Sequence, residues 1–455
     1  MTRTAPPALP GSHVTDSPLD RALALMLADE REAALRWSAA VVQHDASVPS
    51  ALILTCRLLA DAGRTEAAIE GFQLGVERAI DAGNLPLAVA AVADLRALGA
   101  DVEAHMDEIA SAFCLGSPRL TEAAAAPPPP LPVGAEFHPL SSFLAGPALL
   151  SKATQIVHEA TRQFAAMEES EPPLIAPMPL FSFLEKDGLR ALIGAFEMIT
   201  VPAGKIVIQE GEEGAEAYIV ARGDLDVCRS PNATEGDAPI ALARLTNGAL
   251  FGEMALLSRA PRAASVVANR PSILLVARRE ALEAVAEKRP EVGVELAAHC
   301  RRRMVANLVR TSPVLLAVHA SARPALVEHF ETCVFEKGDR IIVEGTDPTG
   351  LHLIASGEVA VVGHESGEPF VIATLGVGDV VGEVGVILRR KANADVVAVH
   401  PTVTLHLPRG DFMELIAEHP AMLTGLYMLA IERDEETSIV FATSTTSVAE
   451  DYVLV

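Results

Sequence analysis

The sequence predicts a multidomain α+β protein, with an N-terminal all-α helical repeat followed by two β-jelly-roll domains with flanking helices. Three observations support this prediction. Residues 19–115 show helical patterns with few strand signals, residues 116–178 are rich in Pro and Ala, and residues 179–435 contain one pattern of glycines and apolar residues twice. A chain of 455 residues is long enough for several domains, each with its own core.

Composition narrows the class of protein. The chain has 60 Asp and Glu residues against 36 Lys and Arg residues, and its net charge of −24 disfavours binding to nucleic acid or to an anionic membrane. The five cysteines are widely spaced and form no CxxC motif, which is typical of free thiols in a reducing compartment. The N-terminus has no apolar signal-peptide core, and no apolar run approaches the roughly 18 residues of a membrane helix. These features predict a cytoplasmic protein without a membrane span.

The N-terminal region contains a short internal repeat. Glu32-Ala33-Ala34-Leu35 recurs as Glu66-Ala67-Ala68-Ile69, a shift of 66 − 32 = 34 residues. That period is the one expected of tetratricopeptide-like helix pairs, so residues 19–115 are predicted to form such a domain. The helical units cover residues 28–44, 49–62, 65–82 and 85–98. A plain helical bundle is the alternative interpretation.

The linker at 116–178 differs in composition from both neighbours. Four alanines at 123–126 precede four prolines at 127–130, a combination typical of a semi-extended spacer with no core of its own. The sequence predicts one short helix within it, near residues 147–168.

The C-terminal half is a tandem duplication. Three glycines of the first copy recur 134 residues later, in the pairs Gly204/Gly338, Gly211/Gly345 and Gly223/Gly357. Beyond the polar loop at 230–239 the offset falls to 130, as in Gly252/Gly382 and Glu253/Glu383. The domains are predicted at 179–310 and 311–435, followed by a tail at 436–455. Each copy is expected to open with a helix (180–196 and 314–330), to continue as short glycine-punctuated strands, and to close with helices (279–308 and 409–435).

The stretch FGEMALLSRAPRAASV, residues 251–266, has the residue types of a small-ligand site. Gly252 lets a ligand approach the backbone, and the short helical turn after Glu253 presents free N–H groups to an anion. The Glu253 carboxylate can accept hydrogen bonds from a sugar hydroxyl. The Arg262 guanidinium suits a phosphate.

This stretch resembles the phosphate-binding cassette of cyclic nucleotide-binding domains, as in regulatory subunits of cyclic-AMP-dependent protein kinase. Their pattern is roughly F-G-E-[LI]-A-L-x(4)-P-R-[AT]-A-[TS]-V, from which only Met254 departs. The resemblance implies that Glu253 binds the ribose 2′-hydroxyl and that Arg262 neutralises the cyclic phosphate. The implied ligand-binding set is Gly252, Glu253, Met254, Ala255, Arg262, Ala263 and Ala264. Ala263 favours cAMP as the ligand, with cGMP as the alternative.

Another interpretation of the first cassette, and a weaker second site, stay open. Glu253 and Arg262 could be a surface ion pair on an empty barrel. The second copy reads VGEVGVILRRKANADV at 381–396, and there Ala392 replaces the arginine. Gly382, Glu383 and Val384 could form a weak second site if Arg389, Arg390 or Lys391 compensated, and the alternative is a structural copy that binds nothing.

Other sequence motifs indicate how the protein would pass on a ligand signal. The sequence after residue 435 is not a basic helix-turn-helix, the linker lacks a kinase-inhibiting Arg-Arg stretch, and no motif of a hydrolase, a P-loop enzyme or a zinc protease is present. The sequence therefore predicts a non-enzymatic cAMP sensor and regulatory adaptor, whose N-terminal helices contact an unidentified protein partner. A ligand-independent scaffold is the alternative. Tyr427 is expected in the core, with capping of a base in the second copy as its other interpretation.

Overall fold

The computed structural model describes residues 17–122, 137–166, 171–229, 240–257, 261–312, 329–365, 368–420 and 423–435. The chain forms two compact units. The first comprises residues up to 210, 215–253 and 264–296; the second comprises 211–214, 254–263 and the residues from 297 onwards. The Ala-Pro run at 123–130, most of the helix predicted at 314–330 and the tail at 436–455 lie outside the described residues.

Seven helices belong to the N-terminal part of the first unit as far as it is described. They are α1 (Pro18–Leu27), α2 (Arg31–His44), α3 (Pro49–Asp61), α4 (Thr65–Asp81), α5 (Leu85–Ala97), α6 (Glu103–Phe113) and α7 (Gly146–Ala165). Helices α2 and α4 begin 34 residues apart, as the repeat predicts. Gly63 and Gly83 follow α3 and α4 with φ of 79° and 67°, a left-handed conformation that ends a helix. The N-terminal helices are confirmed, whereas the domain bounds 19–115 and the likeness to tetratricopeptide repeats stay predictions.

Helix α7, near the position predicted for the linker helix, packs against α2, α3 and α4. Its buried face includes Ile156 and Val157. The contact is close at Gly71 of α4, where a Cβ atom would lie 2.7 Å from Val157 Cγ1 and 2.3 Å from Cys56 Sγ. The linker therefore includes a helix that covers one face of the helical domain.

The first jelly roll contains eight strands in two antiparallel four-stranded sheets. One sheet has the order β1-β8-β3-β6, with β1 (Glu197–Val201), β8 (Ser272–Arg278), β3 (Glu216–Arg222) and β6 (Leu250–Phe251). The other has the order β2-β7-β4-β5, with β2 (Ile206–Ile208), β7 (Ser265–Ala268), β4 (Asp224–Arg229) and β5 (Ile240–Thr246). Apolar side chains of both sheets, such as Val220, Leu225 and Leu274, form the barrel core.

Helices α8 (Lys186–Ile193) and α10 (Arg279–Lys288) belong to the same unit as this barrel, and α9 (Met254–Leu257) belongs to the second unit. Helix α11 (Pro290–Thr311) begins in the first unit, and from residue 297 it belongs to the second. Pro290 begins α11 and so divides the range 279–308 predicted for the closing helices. The single opening helix predicted at 180–196 is wrong: a 3-10 turn at Phe181–Phe183 precedes α8, because Leu184 is extended and interrupts the helical pattern. The strand β1 begins directly after the predicted range.

The N-terminal helices pack on the first barrel within the same unit. Helix α5 contacts β1, β3 and β8. The β3–β8 register shifts between Val220 and Arg222, and the carbonyl of Ala221 at this shift accepts a 3.0 Å hydrogen bond from Asn84 Nδ2. Buried Asp20 of α1 accepts a 2.6 Å hydrogen bond from Arg222 Nη2. Polar as well as apolar contacts thus join the helical domain to strand β3.

The second unit contains a second jelly roll of the same topology. Its sheets have the orders β14-β11-β16-β9 and β10-β15-β12-β13. The strands are β9 (Glu331–Phe335), β10 (Arg340–Ile342), β11 (Gly350–Ser356), β12 (Val359–Glu365), β13 (Glu368–Leu375), β14 (Val380–Val381), β15 (Asp395–Ala398) and β16 (Thr402–Pro408). Its helices are α12 (Glu383–Leu388) and α13 (Arg409–Glu418), followed by a helical segment at 423–435. The duplicated α+β fold is confirmed.

Two further features of the described residues concern the helices and the cysteines. No helix among them combines the length and the apolarity that crossing a membrane requires. All five cysteines are free thiols, and four of them are buried, as expected for small core residues.

Candidate functional sites

The backbone of the first cassette depends on one glycine. Strand β6 ends at Phe251, which pairs with Tyr218 of β3 and stacks on its ring at 5.2 Å between centroids. Gly252 follows with φ of 75°, a conformation that favours glycine, and the chain then enters α9. This turn sets the positions at which Glu253 and Met254 leave the sheet.

Glu253 is buried, with only 3% of its surface exposed. A carboxylate at the protein surface would be largely solvated, so the interpretation of Glu253 as part of a surface ion pair is wrong. Buried carboxylates are rare because desolvation is costly, and they concentrate where a specific partner or a ligand needs them.

Arg262 is held by its backbone and by a close approach of its side chain. Its N–H donates to the Glu212 carbonyl and its carbonyl accepts from the Gly211 N–H, both at 2.9 Å. A Cβ atom at Gly214 would lie 2.4 Å from Arg262 Nη2 and 2.6 Å from Nε. The guanidinium therefore lies where any side chain at position 214 would displace it. The sequence analysis missed Gly214, although comparison of the two copies at offset 134 could have found it.

The other predicted residues of the first cassette have different environments. Met254 packs against the apolar cluster of the second unit, and Ala255 is the second residue of α9. Ala263 is exposed and Ala264 is half-buried directly before β7. Their role in binding a ligand stays a prediction.

The second cassette has the same backbone. Gly382 has φ of 90°, and Glu383, with 2% exposure, is the first residue of α12. The Ala392 N–H donates to the Thr346 carbonyl at 2.9 Å, and its carbonyl accepts from the Gly345 N–H at 2.8 Å. These bonds repeat those of Arg262 one copy earlier. Ala392 therefore occupies the backbone position of the missing arginine.

Glu383 has a charged partner that the sequence analysis missed. Arg433, in the helical segment 423–435, donates to Glu383 Oε1 at 2.8 Å and also donates to the Val380 carbonyl. Burial raises the pKa of the Glu383 carboxyl, and the ion pair with Arg433 opposes that rise. Arg433 follows Arg303 of the first copy at the offset of 130, so the repeat pattern contained a signal for it.

A cavity of about 370 Å³ lies at the second cassette. Gly382, Glu383, Val384 and Arg433 line it, together with apolar residues of the strands. Arg389, Arg390 and Lys391 are exposed and do not line it, and compensation for the lost arginine by one of them stays a prediction. Tyr427 is 48% exposed and also lies outside the lining, and the expectation that it packs in the core is wrong because its helical face points to solvent.

Comparison with known proteins assigns both jelly rolls. The profile of the family described as "Cyclic nucleotide-binding domain" matches residues 198–289 and again residues 332–419. The chain therefore contains two cyclic nucleotide-binding domains, as the cassette motif predicts.

Two of the similar proteins are regulatory subunits of cAMP-dependent protein kinase. The cAMP-dependent protein kinase regulatory subunit of Yarrowia lipolytica is 29% identical over 237 residues, 52% of this chain and 58% of the relative. The type II regulatory subunit of Drosophila melanogaster is 28% identical over 253 residues, 56% of this chain and 62% of the relative. The chain thus matches about three fifths of each relative's length. The resemblance predicted from the motif is confirmed.

One solved structure that the comparison matches is the regulatory domain of Toxoplasma gondii PKA, crystallised with cAMP. It is 24% identical, the match covers 56% of this chain and 92% of that chain, and the TM-score is 0.28.

Proposed function

We propose that this chain is a cAMP sensor and regulatory adaptor that binds cAMP in its first jelly-roll domain. The observation that carries the proposal is the Arg262 guanidinium lying against Gly214, in the copy that keeps every polar residue of the cassette motif. The relatives are named for dependence on cAMP, which supports the choice of ligand.

Each polar residue has a separate role in this proposal. Arg262 forms a charge-assisted pair with the cyclic phosphate, and Gly214 keeps the space for its guanidinium open. Glu253 accepts a hydrogen bond from the ribose 2′-hydroxyl, which is favourable because the carboxylate is buried away from competing water. Gly252 and the first turn of α9 present backbone N–H groups to the phosphate.

Titration of the full chain with cAMP and with cGMP by isothermal calorimetry tests this site. We expect cAMP to bind more tightly than cGMP. Arg262→Ala should weaken cAMP binding by about 2–5 kcal/mol, which is about 30-fold to several thousand-fold, because the phosphate loses its counter-charge. Arg278→Ala is the matched control, since that arginine is 65% exposed on β8. Equal binding by Arg262→Ala and the control would refute the assignment.

The N-terminal helices are proposed to carry the signal to a protein partner. They contact β3, and β3 pairs with β6, the strand that leads into Glu253. A shift of the cassette can therefore reach the helical domain through two adjacent strands. Because α7 covers one face and the barrel another, the partner is expected at the remaining surface.

A ligand-independent scaffold is the competing function, and the lost arginine of the second copy is the observation that favours it. Pull-downs from native lysate, with and without cAMP, separate the two. A sensor recovers its partner in amounts that change with cAMP, and this change disappears in Arg262→Ala. Recovery that is equal under all conditions would support the scaffold.

A further inference from the structure

The cavity of the second domain has the size of a ligand site, but it differs from the first cassette at the end where a phosphate would bind. At about 370 Å³ it is within the range of small-molecule pockets, and residues Ile341, Ile342, Val361, Ile372 and Leu375 give it apolar walls. The loop 346–350 and the backbone at Ala392 close the end that corresponds to the phosphate side of the first cassette.

At that end the second copy differs from the first at two positions that are in contact in the first copy. Gly214 of the first copy corresponds to Pro348 at the offset of 134, and Arg262 corresponds to Ala392. A side chain at the position of Gly214 displaces the guanidinium of Arg262 from where it lies. In the second copy the proline supplies that side chain, and no guanidinium is present. Pro348 and an arginine at 392 therefore compete for the same space, and Ala392→Arg alone should not restore a phosphate site.

The charges that line the cavity also disfavour an anion. Its charged lining residues are Asp347, Glu383 and Arg433, which sum to −1. Arg433 already donates to Glu383 and to the Val380 carbonyl. A phosphate placed here would face two carboxylates, and the one cation, Arg433, is already paired with Glu383. The attraction to that cation would therefore not offset the free energy of removing the phosphate from water.

The same lining suits a neutral molecule with hydroxyl groups. The Oε1 atom of Glu383 accepts a hydrogen bond from Arg433. Because an ionised carboxylate has about four acceptor positions in total, Glu383 can also accept a hydrogen bond from a sugar hydroxyl. The aliphatic walls can pack on both faces of a flat heterocycle.

We propose that the second domain binds an uncharged ribonucleoside, and that Pro348 and Ala392 together exclude cyclic nucleotides from it. The chain is then a sensor of two different ligand classes. Nucleoside binding in the second domain does not depend on cAMP binding in the first domain, whereas the response to two ligand classes rests on the proposed function.

The binding test uses the full chain carrying Arg262→Ala. Adenosine, guanosine, cytidine, uridine and cAMP are titrated separately by calorimetry. At least one nucleoside should bind with a stoichiometry near one, with the same affinity in the chain without the substitution. The 2′-deoxy form of that nucleoside should bind about 10- to 100-fold more weakly, because a hydrogen bond to a charged acceptor is lost. No binding of any of the four nucleosides would overturn the proposal.

The location is tested with two tryptophan substitutions on β13. Ile372→Trp fills the cavity from a half-buried lining position and should abolish nucleoside binding. Val371→Trp is the matched control, since the neighbouring side chain is 61% exposed and does not line the cavity. Nucleoside binding unaffected by Ile372→Trp, or cAMP binding that Ile372→Trp abolishes in the Arg262→Ala chain, would overturn the proposal.

The exclusion of phosphate is tested by converting the site. In the Arg262→Ala chain, Pro348→Gly combined with Ala392→Arg should create cAMP binding, and Ala392→Arg alone should bind cAMP at least about tenfold more weakly than the double variant. Equal cAMP affinity of Ala392→Arg and the double variant would show that Pro348 does not oppose the guanidinium, and would overturn the exclusion.

Discussion

The buried carboxylate of Asp20 is the site of the largest stability effect that we predict. Asp20 is 4% exposed and compensates two guanidinium groups, with Arg222 Nη2 at 2.6 Å and Arg270 Nη1 at 3.4 Å. Asp20→Asn keeps the shape of the side chain and removes its charge. The perturbation therefore isolates the electrostatic part of the contact between α1 and strand β3.

The cost follows from what the substitution leaves behind. Arg222 keeps a 3.2 Å hydrogen bond to the Pro271 carbonyl but has lost its counter-charge. Burial lowers the pKa of Arg222, and Arg270 lowers it further, so the charged form is uncompensated without Asp20. Breaking a buried pair from one side costs about 3–5 kcal/mol. Arg222→Met should cost less, because Asp20 then retains the partly exposed Arg270.

Hydrogen exchange of the full chain, followed by mass spectrometry, measures the effect locally. Peptides that cover α1 and β3 should exchange about 150-fold to several thousand-fold faster in Asp20→Asn, the equivalent of about 3–5 kcal/mol of lost protection. Combining Asp20→Asn with Arg222→Met should recover part of the loss. Unchanged exchange, or a larger effect of Arg222→Met than of Asp20→Asn, would refute the reasoning.

Three further predictions concern other contacts. Gly71→Leu should cost about 1–3 kcal/mol and speed the hydrogen exchange of α7, because its side chain overlaps Val157; equal protection of α7 would argue against the packing. Burial, with His406 beside it, lowers the pKa of His352 to about 3, so between pH 7 and pH 5 this histidine takes up a proton in the unfolded chain but not in the folded one. The free energy of unfolding of the second barrel, measured in urea, should therefore fall by about 2 kcal/mol from pH 7 to pH 5. His352→Val should remove this pH dependence, and a variant that keeps it would contradict the assignment. Arg433→Met leaves the buried Glu383 carboxylate without its cation, so the hydrogen exchange of residues 423–435 should become about 10- to 100-fold faster. Unchanged hydrogen exchange would count against the ion pair.

The duplication could be predicted from the sequence because several turns of each copy need a backbone conformation that favours glycine. Gly211 and Gly345 have φ of 78° and 77°, and Gly252 and Gly382 have φ of 75° and 90°. Such positive values are strained for other residues, so the two copies keep glycine at the same turns. The strands between them followed from their short β-branched runs.

Partners that meet only in three dimensions were not readable in this way. Gly214 and Arg262 are 48 residues apart, and their contact depends on the backbone pairing of two loops. The ion pair between Glu383 and Arg433 joins the cassette to a helical segment 50 residues later. Neither spacing has a local period, so the sequence offered only the comparison of copies as a signal.

The helix predicted at 180–196 shows a second limit. Its apolar residues have helical spacing, yet Leu180 has φ of 72° and Leu184 is extended, because the chain turns there to bring Phe181 and Leu184 into the core. Tertiary packing outweighs local helical preference at this turn.

Calorimetric titration of Arg262→Ala with cAMP, beside the unchanged chain and Arg278→Ala, tests the sensor account most directly. The account predicts one cAMP bound by the unchanged chain and by Arg278→Ala, and a loss of about 30-fold or more in Arg262→Ala. Identical isotherms for all three chains, or no heat from the unchanged chain, would contradict it.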